Sequence, residues 1–258
     1  MQDIDITLVQ TALHWEDTPR NLDMFSRLLS RIEGPTDLVV LPEMFNTGFS
    51  MNAAVLAEAE DGPALRWMSE KSADLGCVIT GSVIFEAEGR YFNRLIWMRP
   101  DGTFVHYDKR HLFRMAGENE TFAAGSRRVV IELKGWRFCP LICYDLRFPV
   151  WSRNRSDYDA LVFIANWPEP RSRAWKSLLP ARAIENQAYV IAVNRIGTDG
   201  NGRAYSGDSG VYDPRGMLLS RIHPHEEIIE TLTLSGRDLV DFRENFQVAL
   251  DADDFEIN

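Results

Sequence analysis

The 258-residue chain has only three cysteines, Cys77, Cys139 and Cys143. So few, and an odd number, imply no disulfide framework in a chain of this length. Free thiols fit a reducing compartment. Basic residues are outnumbered: 28 Lys and Arg stand against 38 Asp and Glu, a net charge of −10. A duplex-binding surface needs a basic excess, so no nucleic-acid partner is expected, although a local cationic pocket for a small anion remains open. Long apolar runs are missing too. The longest, such as residues 161–165, are strand-sized, so no segment is expected to cross a bilayer and no membrane partner is expected. The opening MQDIDITLVQ carries acids where a secretory leader carries bases, and no apolar run follows it. The expected location is cytoplasmic, which leaves the sequons at Asn119 and Asn154 without meaning. There is no Gly/Ser linker, charge block or internal repeat, so residues 1–258 read as a single domain.

What is present is an ordinary globular balance, 45 % apolar and 26 % charged. Ile4–Gln10 alternates apolar and polar residues, the pattern of a strand. Thr18 then reads as a helix N-cap with Pro19 at the first helical position. Leu22, Phe25, Leu28, Leu29 and Ile32 follow at helical spacing until Gly34-Pro35 stops them. Residues 37–41 (DLVVL) form a continuous apolar run, the mark of a strand buried on both faces. A helix is predicted over Pro63–Leu75, closed by Gly76, and another over 171–187, kinked at Pro180. Strands are predicted over 77–85, 91–98, 103–107, 129–133, Trp136–Ile142, Ala160–Ala165, Tyr189–Asn194, Gly210–Tyr212, 217–222 and 227–234, with Ser235 capping a short terminal helix. This order mixes α and β but has too many hairpins for a doubly wound nucleotide fold. A sheet-on-sheet core with helices outside would bury both kinds of element.

Three ionisable residues share one position, directly after a predicted buried strand: Glu43 in LPEMF, Lys109 in HYDKRHLF and Cys143 in LICYDLRFP. Strand ends deliver side chains to a shared crevice on a rigid scaffold. A thiol needs a base to become a good nucleophile, and a carboxylate can serve. A cationic Lys lowers a thiol pKa and stabilises an oxyanion. Glu, Lys and Cys together suffice for acyl transfer through a thioester. Each also has a plain reading: a small core residue for Cys143, a loop charge or cap for Glu43, a solvated side chain for Lys109.

The local words carry a resemblance. LPEMFNTGF, DKRHLF and LICYDLRFP resemble the base, lysine and nucleophile segments of the carbon–nitrogen hydrolase (nitrilase) superfamily, in the same order. A fourth word, GENETFAAG, resembles the segment bearing a second carboxylate. Glu118 is the matching position by its distance to Gly125, with Glu120 as the alternative. NWP at 166–168, ARAIENQAYV at 181–190 and GDSGVYDPRG at 207–216 also fit, so the resemblance runs from about Ile4 to Leu234. It implies a four-layer αββα sandwich assembled as a homodimer. It implies that Cys143 attacks the carbonyl carbon and that Glu43 takes the thiol proton, gives it to ammonia and then activates water. Lys109 and the backbone N–H of Tyr144 would hold the oxyanion, and Glu118 would position Lys109 or the substrate. No metal or other cofactor is implied.

Within the superfamily the chain is most similar to the ω-amidase branch, on the strength of NWPEPRSRAW and ARAIENQAYV. That branch hydrolyses the terminal amide of short 2-oxo dicarboxylic acid monoamides such as 2-oxoglutaramate. Such a small-molecule amide needs a cation or N–H donors for its carboxylate. Arg147, Arg171 and Arg173 are candidates, Arg171 preferred and Arg147 assigned to structure because it follows the nucleophile turn. Trp167 is a candidate for the pocket wall.

Other words lead elsewhere. Gly207-Asp208-Ser209-Gly210 resembles the nucleophile word of trypsin-like proteases, but none of the five histidines has the context of that family's base. A turn before a strand is the better reading. His223-Pro224-His225 lacks a third ligand nearby. Gly197 to Gly202 has the wrong spacing for a phosphate fingerprint. Cys139 lies on the same strand face as Cys143 and is expected in the core. His111 keeps a Cys–His thiol hydrolase open, and a non-catalytic dimeric interaction module is a third possibility.

Overall fold

The computed structural model describes residues 1–256, which form two β-sheets packed face to face with helices on their outer sides. This is the four-layer αββα sandwich. In chain order the strands are β1 (Ile4–Gln10), β2 (Leu38–Val40), β3 (Val78–Ala87), β4 (Arg90–Met98), β5 (Phe104–Asp108), β6 (Ile131–Leu133), β7 (Trp136–Ile142), β8 (Ala160–Ala165), β9 (Tyr189–Asn194), β10 (Ile196–Thr198), β11 (Ala204–Ser206), β12 (Gly210–Tyr212) and β13 (Ile228–Leu234). Helices are α1 (Thr18–Leu29), α2 (Ala53–Leu56), α3 (Pro63–Leu75), α4 (Glu118–Thr121), α5 (Pro149–Ser152), α6 (Ser172–Asn186) and α7 (Gly236–Asn245). One sheet has the order β13-β1-β2-β3-β4-β5 and the other β12-β9-β8-β7-β6, while β10 and β11 form a separate hairpin.

Side-chain alternation decides which face meets which layer. In the six-stranded sheet Ile4, Ile6, Leu8, Leu38, Val40, Leu95 and Trp97 point to the second sheet. Their neighbours Val9, Val39, Leu41, Ile96 and Met98 point outward, onto Phe25 and Leu28 of α1 and Leu65 and Met68 of α3. A strand with apolar neighbours on both sides shows no alternation, which is why 37–41 reads as an unbroken run. In the other sheet β7, β8 and β9 are parallel and fully covered, with Trp175, Leu179 and Ala183 of α6 in the same core.

Three local expectations change. Asp17, not Thr18, caps α1: its carboxylate accepts from the Arg20 N–H at 3.1 Å, and the helix begins at Thr18. The charged side chain of Asp17, in the half-in position just before the first helical residue, reaches the orphan donor and complements the helix N-terminus. Residues 217–222 form no strand; a lone bridge joins Leu218 to Tyr212. Residues 196–206, with three glycines, make the β10–β11 hairpin. Ser235 caps α7 as expected, accepting from Asp238 N–H at 3.2 Å.

The parallel strands gather their C-terminal ends. β2 runs into Glu43, β7 into Cys143, β8 into Asn166 and β9 ends at Asn194. Lys109 follows β5 and keeps its pairing, donating its backbone N–H to Asn93 O at 3.0 Å. Ligand crevices form at such carboxyl ends.

Candidate active site

Each candidate side chain is fixed by a short loop pinned to a strand. Around Glu43, Leu41 N–H donates to Thr80 O (2.8 Å), Phe45 N–H to Ser82 O (3.1 Å) and Met44 N–H to Ser82 Oγ (2.8 Å). Lys109 is pinned from the other side: Gly125 N–H donates to Lys109 O at 2.9 Å. Gly125 has no room for a side chain, since a Cβ there would lie 2.0 Å from Asp108 O. Cys143 opens a tight turn, Cys143–Arg147, with φ +45°, a left-handed conformation that a non-glycine residue holds only when its surroundings enforce it. The buried guanidinium of Arg182, from α6, braces that turn by donating Nε and Nη2 to Leu146 O at 3.1 and 2.7 Å.

The structure brings Glu43, Lys109 and Glu118 into one buried cluster beside Cys143. Lys109 Nζ donates to Glu43 Oε1 at 2.9 Å and to Glu118 Oε1 and Oε2 at 2.9 and 3.0 Å. Asn93 Nδ2 bridges the same two carboxylates, at 2.8 Å to Glu43 Oε1 and 3.1 Å to Glu118 Oε1. The second oxygen of Glu43 accepts from the Asn166 N–H at 2.7 Å, and that of Glu118 from the Phe113 N–H at 2.5 Å. Glu120, the alternative to Glu118, is exposed. Cys143 keeps 9 % of its surface while Lys109 keeps 1 % and the two carboxylates none, so the thiol stands foremost.

Electrostatics follow from this packing. Burial, and then the Glu43 carboxylate, push the Cys143 thiol well above its ordinary value, while Lys109 pulls the other way. The resting group is the neutral thiol. Burial pulls the Lys109 pKa down, but Glu118 and Glu43 outweigh it and keep the ammonium charged. Burial raises Glu118 even with Lys109 beside it. The other thiols lack a carboxylate base and lysine of this kind: burial pushes Cys77 and Cys139 each up to about 12, although Arg128, which donates Nη1 to Cys139 Sγ at 3.9 Å, pulls Cys139 the other way.

A narrow cleft opens over Cys143 and Lys109, walled by Phe49, Phe113, Tyr144 and Trp167 and rimmed by Arg147, Arg171 and Arg203. Trp167 is buried, held by its N–H on Asn194 Oδ1 (2.8 Å) and by its Nε1 on Arg171 O (2.8 Å). The Arg147 guanidinium lies 4.9 Å from the Trp167 ring centroid and that of Arg171 5.0 Å from Phe113. Arg173 is exposed on α6. Arg147, assigned to structure from the sequence, thus lines the cleft. His111 is directed elsewhere: its Nδ1 bonds Asp145 Oδ1 at 2.8 Å, and its ring stacks on Phe148. Among the described residues no group of three or more His, Cys, Asp or Glu is placed to hold a metal ion, and no helix is long and apolar enough to cross a membrane.

Sequence reasoning assigned no role to Asn93, Asn166, Arg182 or Arg203, nor to Tyr205, which also lines the cleft. Asn93 left one signal, an amide inside a strand where such residues are disfavoured. Gly207 and Ser209 of the protease-like word have a different use. Asn194 Nδ2 donates to Gly207 O (2.8 Å) and to Trp167 O (3.0 Å), and Ser209 Oγ accepts from Asn194 N–H (2.9 Å). That loop buttresses the cleft wall.

Residues 5–240 match the carbon–nitrogen hydrolase family. The chain is 48 % identical to the omega-amidase YafV of Escherichia coli K12, over 100 % of both chains. It is 33 % identical to the 2-oxoglutaramate amidase of Bacillus subtilis, over 87 % of this chain and 88 % of that one. Among solved structures, XC1258 of Xanthomonas campestris, a CN-hydrolase superfamily protein with an arsenic adduct in its active site, superposes with a TM-score of 0.97 at 47 % identity, covering 100 % of each chain.

Proposed function

The chain belongs to the carbon–nitrogen hydrolase family, and from that premise we propose that it is a thiol-dependent ω-amidase that hydrolyses the terminal amide of a short 2-oxo dicarboxylic acid monoamide. The observation that carries this reading is one cleft with two chemically distinct parts: Cys143 and Lys109 in its wall, backed by Glu43 and Glu118, and the three guanidiniums of Arg147, Arg171 and Arg203 on its rim. The first suits an amide carbonyl and the second suits a carboxylate at the far end of the same molecule.

In this reading Cys143 Sγ attacks the amide carbon as its proton passes to Glu43, the base that a neutral thiol requires. The oxyanion forms between Lys109 Nζ and the Tyr144 N–H, one of the first N–H groups of a helical turn, which have no acceptor within it. Collapse breaks the C–N bond, Glu43 returns the proton to the leaving nitrogen, and ammonia departs from a Cys143 thioester. Glu43 then takes a proton from water, whose oxygen attacks the thioester carbon. The thiol is restored and the free acid leaves. Glu118 and Asn93 keep Lys109 and Glu43 fixed throughout. Arg171 is the first choice for the substrate carboxylate, with Arg147 and Arg203 beside it.

The assembly we propose is a cytoplasmic homodimer. Ile184 on α6 and the adjoining Met217 and Leu218 are each more than half exposed, an apolar surface that a second copy would cover.

Ammonia release from purified protein tests the function. 2-Oxoglutaramate should exceed a neutral amide of equal length by about a hundredfold or more in kcat/KM, because a cationic site is left unpaired by the neutral analogue. Arg171→Ala should narrow that gap by losing the anionic substrate. Cys143→Ala should be inactive. Equal kcat/KM for the two amides would remove the ω-amidase reading, and faster turnover of a nitrile or a carbamoyl amino acid would move the chain to another branch.

A further inference from the structure

Two residues beyond Cys143, the Asp145 carboxylate is fully buried and has no part in the reaction just described. Its Oδ2 accepts from the Ile142 N–H at 3.0 Å and from the Tyr107 hydroxyl at 2.7 Å. Its Oδ1 accepts from the His111 N–H at 3.0 Å and from His111 Nδ1 at 2.8 Å. A carboxylate only accepts, so the proton of His111 sits on Nδ1. Tyr107 in turn accepts at its oxygen from Trp151 Nε1 (3.0 Å) and from the Arg110 N–H (3.2 Å), which commits its own proton to Asp145. Every group facing Asp145 is therefore a donor.

The donors come from two separate places. Tyr107 and His111 stand two residues before and two residues after Lys109, at the edge of the six-stranded sheet. Ile142 is the last residue of β7, at the start of the Cys143 turn in the other sheet. Asp145 is thus a joint between the lysine segment and the nucleophile turn. The left-handed backbone at Cys143 is spanned by the bond from Ile142 N–H to Asp145, and the Tyr107 and His111 donors from the other sheet hold that carboxylate in place.

We infer that Asp145 is a positioning residue for the amidase reaction, setting the reach between Cys143 Sγ and the Lys109–Glu43 pair through the donors it gathers from Ile142, Tyr107 and His111. The inference rests on the reading of Cys143 as nucleophile. A displacement of about 1 Å at a reacting group costs on the order of a hundredfold in rate. Asp145→Asn keeps the shape but turns one acceptor into a donor, which then faces donors on whichever side it lies.

The test is steady-state kinetics on 2-oxoglutaramate, normalised to folded protein by circular dichroism. Asp145→Asn should lower kcat by about a hundredfold or more while KM, set by the rim arginines, stays within about threefold. Tyr107→Phe should lower kcat by about tenfold in the wild type and by nothing further in the Asp145→Asn background, because the phenol is then one of the opposed donors. Should Asp145→Asn not fold, Tyr107→Phe and His111→Ala carry the test by the same split of kcat from KM. A kcat per folded protein within threefold of wild type, or additive losses in the double variant, would each overturn the inference. An active Cys143→Ala enzyme would instead overturn the reading beneath it.

Discussion

Lys109 offers a measurement in which charge and burial can be separated. Lys109→Met keeps most of the side-chain volume and removes the ammonium between two carboxylates that are themselves fully buried. Taking one member from a buried ion pair costs about 3–5 kcal/mol, because the remaining charge is left uncompensated. Here two carboxylates remain, bridged by Asn93 alone. One of them relieves the repulsion by taking a proton, and Glu118, already raised by burial, is the candidate. The sign follows. A carboxyl whose folded pKa lies above its unfolded value of about 4.3 binds the proton more tightly when folded, so the stability it contributes is full below that value and is lost as pH rises through the folded one. In the wild type Lys109 opposes this most strongly; in the variant only the neutral donors Phe113 N–H and Asn93 Nδ2 still do. The deficit of Lys109→Met should thus be about 3–5 kcal/mol near pH 8 and smaller near pH 5 by about 1 kcal/mol or more, since one unit of pKa is about 1.4 kcal/mol. Urea denaturation at fixed protein concentration gives both numbers. A deficit that is equal at the two pH values, or below about 1 kcal/mol at both, would refute the reasoning.

Other perturbations test other parts. Gly125→Ala forces a Cβ against Asp108 O, so the backbone at Lys109 must move; kcat should fall by about tenfold or more, read in the ammonia assay. Cys143→Ala should lose all turnover and the thioester adduct that mass spectrometry finds on its peptide, whereas Cys139→Ala and Cys77→Ala should keep both and lose about 1–2 kcal/mol in a thermal melt. Asp17→Ala should cost about 0.5–2 kcal/mol with kcat unchanged, because it removes only the α1 cap.

The sequence held more of the site's chemistry than of its support. Glu43, Cys143 and Lys109 were legible because each follows a strand whose apolar pattern is strong, and because their neighbouring words are specific. The strands themselves were legible where burial on both faces makes a continuous run, as in 37–41 and Ala160–Ala165. Residues 217–222 misled for the same reason: Met217, Leu218 and Leu219 have the apolar pattern of a strand but lie on the surface. The roles of Asn93, Asn166 and Arg182 could not be picked out, since their value lies in contacts 25 to 123 residues away along the chain. Arg147 looked structural by position, yet the cleft turns around the Cys143 turn and takes it in.

That division has a physical cause. Glu43 and Lys109 belong to the six-stranded sheet, whereas Cys143 and Asn166 belong to the five-stranded one. No local stretch of chain can state their mutual distance; it is set by how the sheets pack. Trp97 of β4 and Phe138 of β7 meet across that interface with ring centroids 5.4 Å apart, both without solvent exposure. Close-packed interiors transmit strain instead of absorbing it, so the spacing fixed by this core is carried to the strand ends. Polar ties then complete the register there: Asn166 to Glu43 at 2.7 Å, and Tyr107 to Asp145 at 2.7 Å. The apolar core sets the separation of the two half-sites coarsely, and the buried hydrogen bonds set it finely. The proposed chemistry needs the second, because in that mechanism a thiol that is neutral at rest gains its nucleophilicity only when Glu43 is within reach of its proton.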